Sequence, residues 1–154
     1  MIVGARVDFR LIHGQVGNLW SNARQVSRFM VVDDQICEDA VQKQVLRMAT
    51  PATCKLSVLS TEKACANILA GKYDAQRLFI VVKKPETYVK MVKAGVKFDE
   101  IILGNITSMD IVKSYNRNIN CGQDDVDALK ELEALGVPMV IQLTPQNNPE
   151  KFTA

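Results

Sequence analysis

Six short apolar runs recur along the chain: Ile2–Val7, Phe29–Val32, Leu56–Leu59, Leu78–Val82, Glu100–Leu103 and Pro138–Leu143. Several are nearly continuous rather than alternating, the pattern of strands buried on both faces of a parallel sheet. Amphipathic stretches lie between them. Gln15–Arg24 reads as a helix, and so does Glu38–Met48, with Ala40, Val41, Val45, Leu46 and Met48 as its apolar positions. Thr61–Ala70 follows Ser60 as a plausible N-cap and stops at Gly71. Pro85–Ala94 opens on proline and stops at Gly95, and Asp124–Leu135 has acids in its first turn and stops at Gly136.

Alternation of strand and helix predicts a single α/β domain over residues 1–154, an open, mostly parallel sheet with helices on both faces. Asn105–Cys121 breaks the pattern: it is polar, follows a strand, and contains at most a short strand around Tyr115–Ile119. Long polar loops beyond strands are where such folds carry function.

Composition narrows the classes. Apolar residues at 47% and charged residues at 23% fit a folded globular protein and argue against disorder. A net charge of +2, from 19 basic and 17 acidic residues, argues against nucleic acid as the main partner. No apolar run approaches the ~20 residues that span a bilayer, and the first residues lack the pattern of a signal peptide, so a cytoplasmic setting is expected. The cysteines, Cys37, Cys54, Cys65 and Cys121, are widely and irregularly spaced. With one histidine in the chain, no zinc pattern forms. Cys37, Cys54 and Cys65 lie in or beside apolar segments and read as buried thiols.

The one histidine, His13, stands in Asp8-Phe9-Arg10-Leu11-Ile12-His13-Gly14-Gln15, after the first strand and before the first helix. In open α/β sheets that is the ligand end. A neutral imidazole is a competent nucleophile near pH 7. Arg10 offers a planar fork for phosphoryl oxygens, the following helix start supplies free N–H groups, Gly14 permits close backbone approach, and Asp8 could orient His13 or Arg10. These parts suit phosphoryl transfer, which depends on positioning and charge. Arg-x-x-His is nonetheless a weak motif, and a loop histidine serves as readily as a structural or solvated group.

Other chemistry is sparse. No P-loop, dinucleotide fingerprint or nucleophile elbow occurs. Asp33-Asp34 could hold a metal or act as an acid and base pair, or simply cap a helix turn. Lys83-Lys84 could attract an anion or be a solvated pair, and Trp20 packs on the core or near the site.

Arg6-Val7-Asp8-Phe9-Arg10-Leu11-Ile12-His13-Gly14-Gln15-Val16 closely resembles the signature of the EIIB components of the mannose/fructose/sorbose-type bacterial phosphotransferase system. The similarity runs on through Val31-Val32-Asp33-Asp34, Asp39–Met48, Lys55–Ser60, Phe79–Lys83 with Pro85, Val92–Val96 and Asp124–Gln142. The resemblance implies a protein-phosphohistidine–sugar phosphotransferase. His13 would accept a phosphoryl group from phosphorylated EIIA and give it to a sugar bound by the membrane components EIIC and EIID. It implies a catalytic set of His13, Arg10 and Asp8. For in-line transfer between histidines, backbone N–H groups from Ile12 through Gly14 to Gln15 would meet the phosphoryl oxygens, and no metal or other cofactor is needed, because the positive groups come from the protein. The chain would work at the inner face of the membrane, through a transient interface that could include Phe9, Lys83 and Lys113; proteins of this type can occur as dimers. Two departures stand out. Phe9 occupies an often acidic position, and Gly104-Asn105-Ile106-Thr107 replaces a common Gly-x-Met-His stretch, removing a second histidine. Two alternatives keep the fold: a phosphorylation-dependent regulatory module that gives nothing to sugar, and a small-molecule binding module in which His13 only contacts ligand.

Overall fold

The computed structural model describes residues 1–154. Strands β1 (Ile2–Asp8), β2 (Arg28–Val32), β3 (Lys55–Leu59), β4 (Leu78–Val82), β5 (Ile101–Asn105) and β8 (Met139–Ile141) alternate with helices α1 (Val16–Arg24), α2 (Ala40–Ala49), α3 (Thr61–Leu69), α4 (Pro85–Lys93) and α5 (Gln123–Ala134). Strands β6 (Lys113–Asn116) and β7 (Ile119–Cys121) form a hairpin, and β9 (Glu150–Lys151) closes the chain. The main sheet runs β3-β2-β4-β1-β5-β8-β9, parallel except for the last pairing. The expected open α/β sheet is the observed one.

Strand order decides which face each helix covers. From β1 the chain steps outward through β2 to β3, then reverses to β4, β5 and β8. Parallel crossovers are right-handed, so reversing direction moves the later helices to the opposite face. The core divides accordingly. Trp20 of α1 and Leu46 of α2 pack with Phe29, Val31, Phe79 and Ile102 on one side. Ala64 of α3, Tyr88 of α4 and Leu129 of α5 pack with Val7, Ile80 and Leu103 on the other. Tyr88 is fully buried, and its single hydroxyl hydrogen is shared between the carbonyls of Arg6 and Ile80, both at 3.0 Å. Burial pushes its pKa well above the ordinary tyrosine value.

Local signals explain the helix starts. Asp39 accepts from the N–H groups of Val41 and Gln42, so α2 begins at Ala40 rather than at Glu38. Ser60 caps α3 through Lys63 N–H, as expected. Two expectations need correction. Tyr115–Ile119 is not one strand: Asn116 accepts from the N–H groups of Asn118 and Ile119 and turns the chain between β6 and β7. The apolar positions of α2 are mostly not core, since Val41 and Met48 are 73% and 78% exposed and only Leu46 is buried. This helix links β2 to β3, the edge strand, so little protein lies beyond it to cover its outer face. No helix is long and apolar enough to cross a membrane.

Candidate active site

Strand β1 lies between β4 and β5, and its outgoing connection uses the face opposite to theirs. A crevice therefore opens beyond its carboxyl end. Asp8 is the last residue of β1 and is fully buried. Its Oδ1 accepts from Arg10 N–H at 2.9 Å, and its Oδ2 accepts from Asn105 Nδ2 at 3.1 Å and Arg6 Nη2 at 3.3 Å. Arg10 Nε stands 3.6 Å from Oδ1, and the Arg10 side chain is 44% exposed. The carboxylate thus holds the Arg10 backbone more closely than its guanidinium, which is partly in water and lies 5.9 Å from the centre of the Phe9 ring.

The next turn is strained. Leu11 N–H donates to Asp8 carbonyl at 2.9 Å, and Leu11 has φ +61°, unusual for a branched residue. Such conformations persist where the surroundings enforce them. Here Leu11 and Ile12 are buried among Trp20, Ile36 and Leu46, which anchors the loop from below. His13 is half-buried rather than fully exposed, with Nδ1 3.3 Å from the Leu11 carbonyl and Nε2 shielded from solvent without a partner. Gly14 has φ +49° and open space where a side chain would begin. The N–H groups of Ile12, His13, Gly14 and Gln15 donate to no acceptor in the protein. Gln15 precedes α1 without capping it, and no acid occupies the first turn of that helix. A run of free donors beside a helix start and an arginine makes a cradle with the chemistry to take an anion.

Of the six residues singled out by the sequence, the structure brings Asp8, Arg10, Ile12, His13, Gly14 and Gln15 into this one loop. Arg10, His13, Gly14, Val45, Leu46 and Lys83 help line a cleft of about 410 Å³. A neighbouring, more polar cleft of about 530 Å³ shares Phe9 and Lys83 and includes Asp33, Asp34, Lys90 and Thr107. Thr107, where the resemblance led one to expect a second histidine, lines this polar cleft and not the one that His13 lines.

The other candidates resolve into structural roles. Asp33 accepts from the N–H groups of Gln35 and Ile36, and Asp34 from Thr61 N–H, so both carboxylates cap turns. Lys84 is not a solvated charge: it pairs with Asp124 at 3.2 Å and Asp125 at 3.1 Å, tying β4 to α5. Burial pulls its pKa down, but the two carboxylates outweigh that and raise it. Trp20 is buried under Arg6 and Arg24, whose guanidinium carbons each lie 5.4 Å from its ring centre. All four thiols are free; Cys65 and Cys121 are buried, whereas Cys37 and Cys54 are only partly covered.

Sequence reasoning assigned no role to Arg6 or Asn105. Arg6 is 2% exposed, and it donates from Nη1 to the Gln142 carbonyl at 2.8 Å and from Nη2 to the Leu143 carbonyl at 2.9 Å. Burial lowers its pKa, with Asp8 opposing. A readable signal existed: a charged residue inside an apolar strand must be paired once buried. Asn105 carried no such signal, because its partner is set by the Asp8–Asn105 register.

Comparison with known proteins agrees with this fold. Residues 2–154 match the family model for the PTS system sorbose subfamily IIB component. The chain is 30% identical over 143 residues to a sorbose-specific EIIB component of Lacticaseibacillus casei, covering 93% of this chain and 87% of that one. It is 29% identical to the mannose-specific EIIAB component of Escherichia coli, covering 92% of this chain and 44% of that longer protein. The crystal structure of the IIBSor domain of the Klebsiella pneumoniae sorbose permease superposes with a TM-score of 0.91 at 30% identity, over 97% of this chain and 91% of that one. The chain belongs to the EIIB components of the mannose/fructose/sorbose phosphotransferase family.

Proposed function

We propose that this chain is a phosphoryl carrier: His13 accepts a phosphoryl group from a phosphorylated EIIA and passes it to a sugar held by EIIC and EIID at the inner face of the membrane. EIIB components act as phosphotransferases in sugar uptake. The observation that carries the finer reading is the set of four unengaged N–H groups from Ile12 to Gln15 around the only histidine.

In the first half-reaction, a lone pair of the His13 imidazole attacks phosphorus in line. The new N–P bond forms as the donor's N–P bond breaks, and the donor imidazole keeps the electron pair. In the second, a sugar hydroxyl attacks from the vacated side. An O–P bond replaces the His13 N–P bond, and the hydroxyl proton leaves to a base or to water. Charge on the equatorial oxygens is met by the loop N–H groups and by Arg10. Asp8 positions Arg10 through its backbone N–H at 2.9 Å and touches the guanidinium only at 3.6 Å, so a closer anion can compete for it. Each partner must cover the cleft beside His13, so each interface is transient and mutually exclusive. Phe9 and Lys83 line that rim, and Lys113 stands on the nearby hairpin.

The test is intact-mass measurement after incubation with phosphoenolpyruvate, the general phosphotransferase proteins and the cognate EIIA. One phosphoryl group should be gained, lost again in mild acid, and absent in His13→Ala. Arg10→Ala should accept it about 10–100-fold more slowly with an unchanged melting temperature. Retained labelling of His13→Ala would overturn the site. Phosphoryl acceptance without delivery to sugar in EIIC/EIID vesicles would favour a regulatory module.

A further inference from the structure

Two arginines face one buried carboxylate at this site. Asp8 is completely buried, and Arg6 and Arg10 approach opposite oxygens of it. The arginines are held very differently. The Arg6 guanidinium is fixed between the Gln142 and Leu143 carbonyls and Asp8, with the Trp20 ring beside it. Gly104 leaves the space it occupies: a methyl group there would fall 2.2 Å from Arg6 Nη2. The Arg10 guanidinium touches Asp8 only at 3.6 Å, beyond hydrogen-bond range, and is partly in water.

We infer that Arg6 is a positioning residue for phosphoryl transfer, neutralising Asp8 from the buried side so that the Arg10 guanidinium stays free for the phosphoryl oxygens. This rests on the carrier function proposed above. The reasoning is electrostatic. A buried carboxylate must find a countercharge. With Arg6 in place, Oδ2 already receives Arg6 and Asn105, and Oδ1 receives the Arg10 N–H. Asp8 and Arg6 then sum to zero, and Arg10 keeps its charge for an incoming anion. Without Arg6, Arg10 is the nearest remaining cation. Its side chain would be drawn onto Asp8 and withdrawn from the cradle.

This arrangement predicts a rescue that a merely structural arginine would not show. Arg6→Met should slow phosphoryl acceptance about tenfold or more. Asp8→Asn should restore most of that rate in the Arg6→Met background, because the unpaired charge is gone. Gly104→Ala offers a second route if Arg6→Met does not fold. It displaces the guanidinium without deleting it, and should likewise be slowed and then rescued by Asp8→Asn. Arg10 Nε–H relaxation by NMR gives a readout independent of any donor. The group should be mobile in the parent, rigid in Arg6→Met or Gly104→Ala, and mobile again in either double variant. Equal mobility in all of them, or a double variant as slow as its single parent, would overturn the role of Arg6 and leave it as a prop for the loop after β8. If the parent accepts no phosphoryl group while Arg10 mobility still follows Arg6, the carrier function fails and the hold of Arg6 on Arg10 stands.

Discussion

The two faces of the sheet are built on different terms. The face under α3, α4 and α5 packs 24 buried residues into one cluster, and its buried tyrosine hydroxyl has two acceptors. The face under α1 and α2 packs 11, and beside them lie a buried Arg–Asp pair, a leucine with positive φ and a helix whose outer apolar side chains face water. The first face supplies cohesion. The second gives up some of it to hold polar groups and a strained turn, a common arrangement at sites that must be preorganised. Because β1 is shared by both, the rigidity of one positions the loop of the other.

The contrast can be broken most forcefully from the packed side. Leu103→Ala on β5, fully buried there, should cost about 2–5 kcal/mol. That loss would appear as a clear fall in Tm by calorimetry, with phosphoryl acceptance by the remaining folded protein nearly unchanged. A smaller effect concerns alkali. Burial, aided by Asp125, raises the Cys121 thiol from 9.0 to about 12. The unfolded chain therefore ionises first, so stability should be intact below pH 9 and fall as pH climbs from 9 towards 12. Tyr88, also raised, adds to the loss further into alkali. Cys121→Ala should flatten the early part of that fall in pH-dependent melting curves. Alkylation at pH 8.5 should leave Cys65 and Cys121 unmodified while the folded chain is intact. The smallest effect is expected on the open side. Met48→Gln should change stability by no more than about 0.5 kcal/mol in denaturant titration, since the residue is 78% exposed. A large loss there would mean that α2 is covered in solution.

Much of this protein was legible in its residues. Apolar runs of strand length, capping residues and terminal glycines placed five helices and six strands in order, because those signals act within a few residues of where they are read. The His13 loop was equally local: histidine, arginine, glycine and a helix start lie within one turn, so their chemistry could be listed before any contact was known. What required tertiary structure was every property that depends on a distant partner. Which helices share a face followed from the strand order β3-β2-β4-β1-β5-β8-β9, and with it came the exposure of Val41, Val45 and Met48. Asp33 and Asp34 became caps, and Lys84 an anchor for α5, only once their partners were in place. Arg6 is a charge inside an apolar strand, and its role emerged only where Gln142 and Leu143, 136 and 137 residues away along the chain, close around it. Sequence settles local conformation because neighbouring atoms decide it; the state of a buried charge is settled by whatever the fold brings beside it.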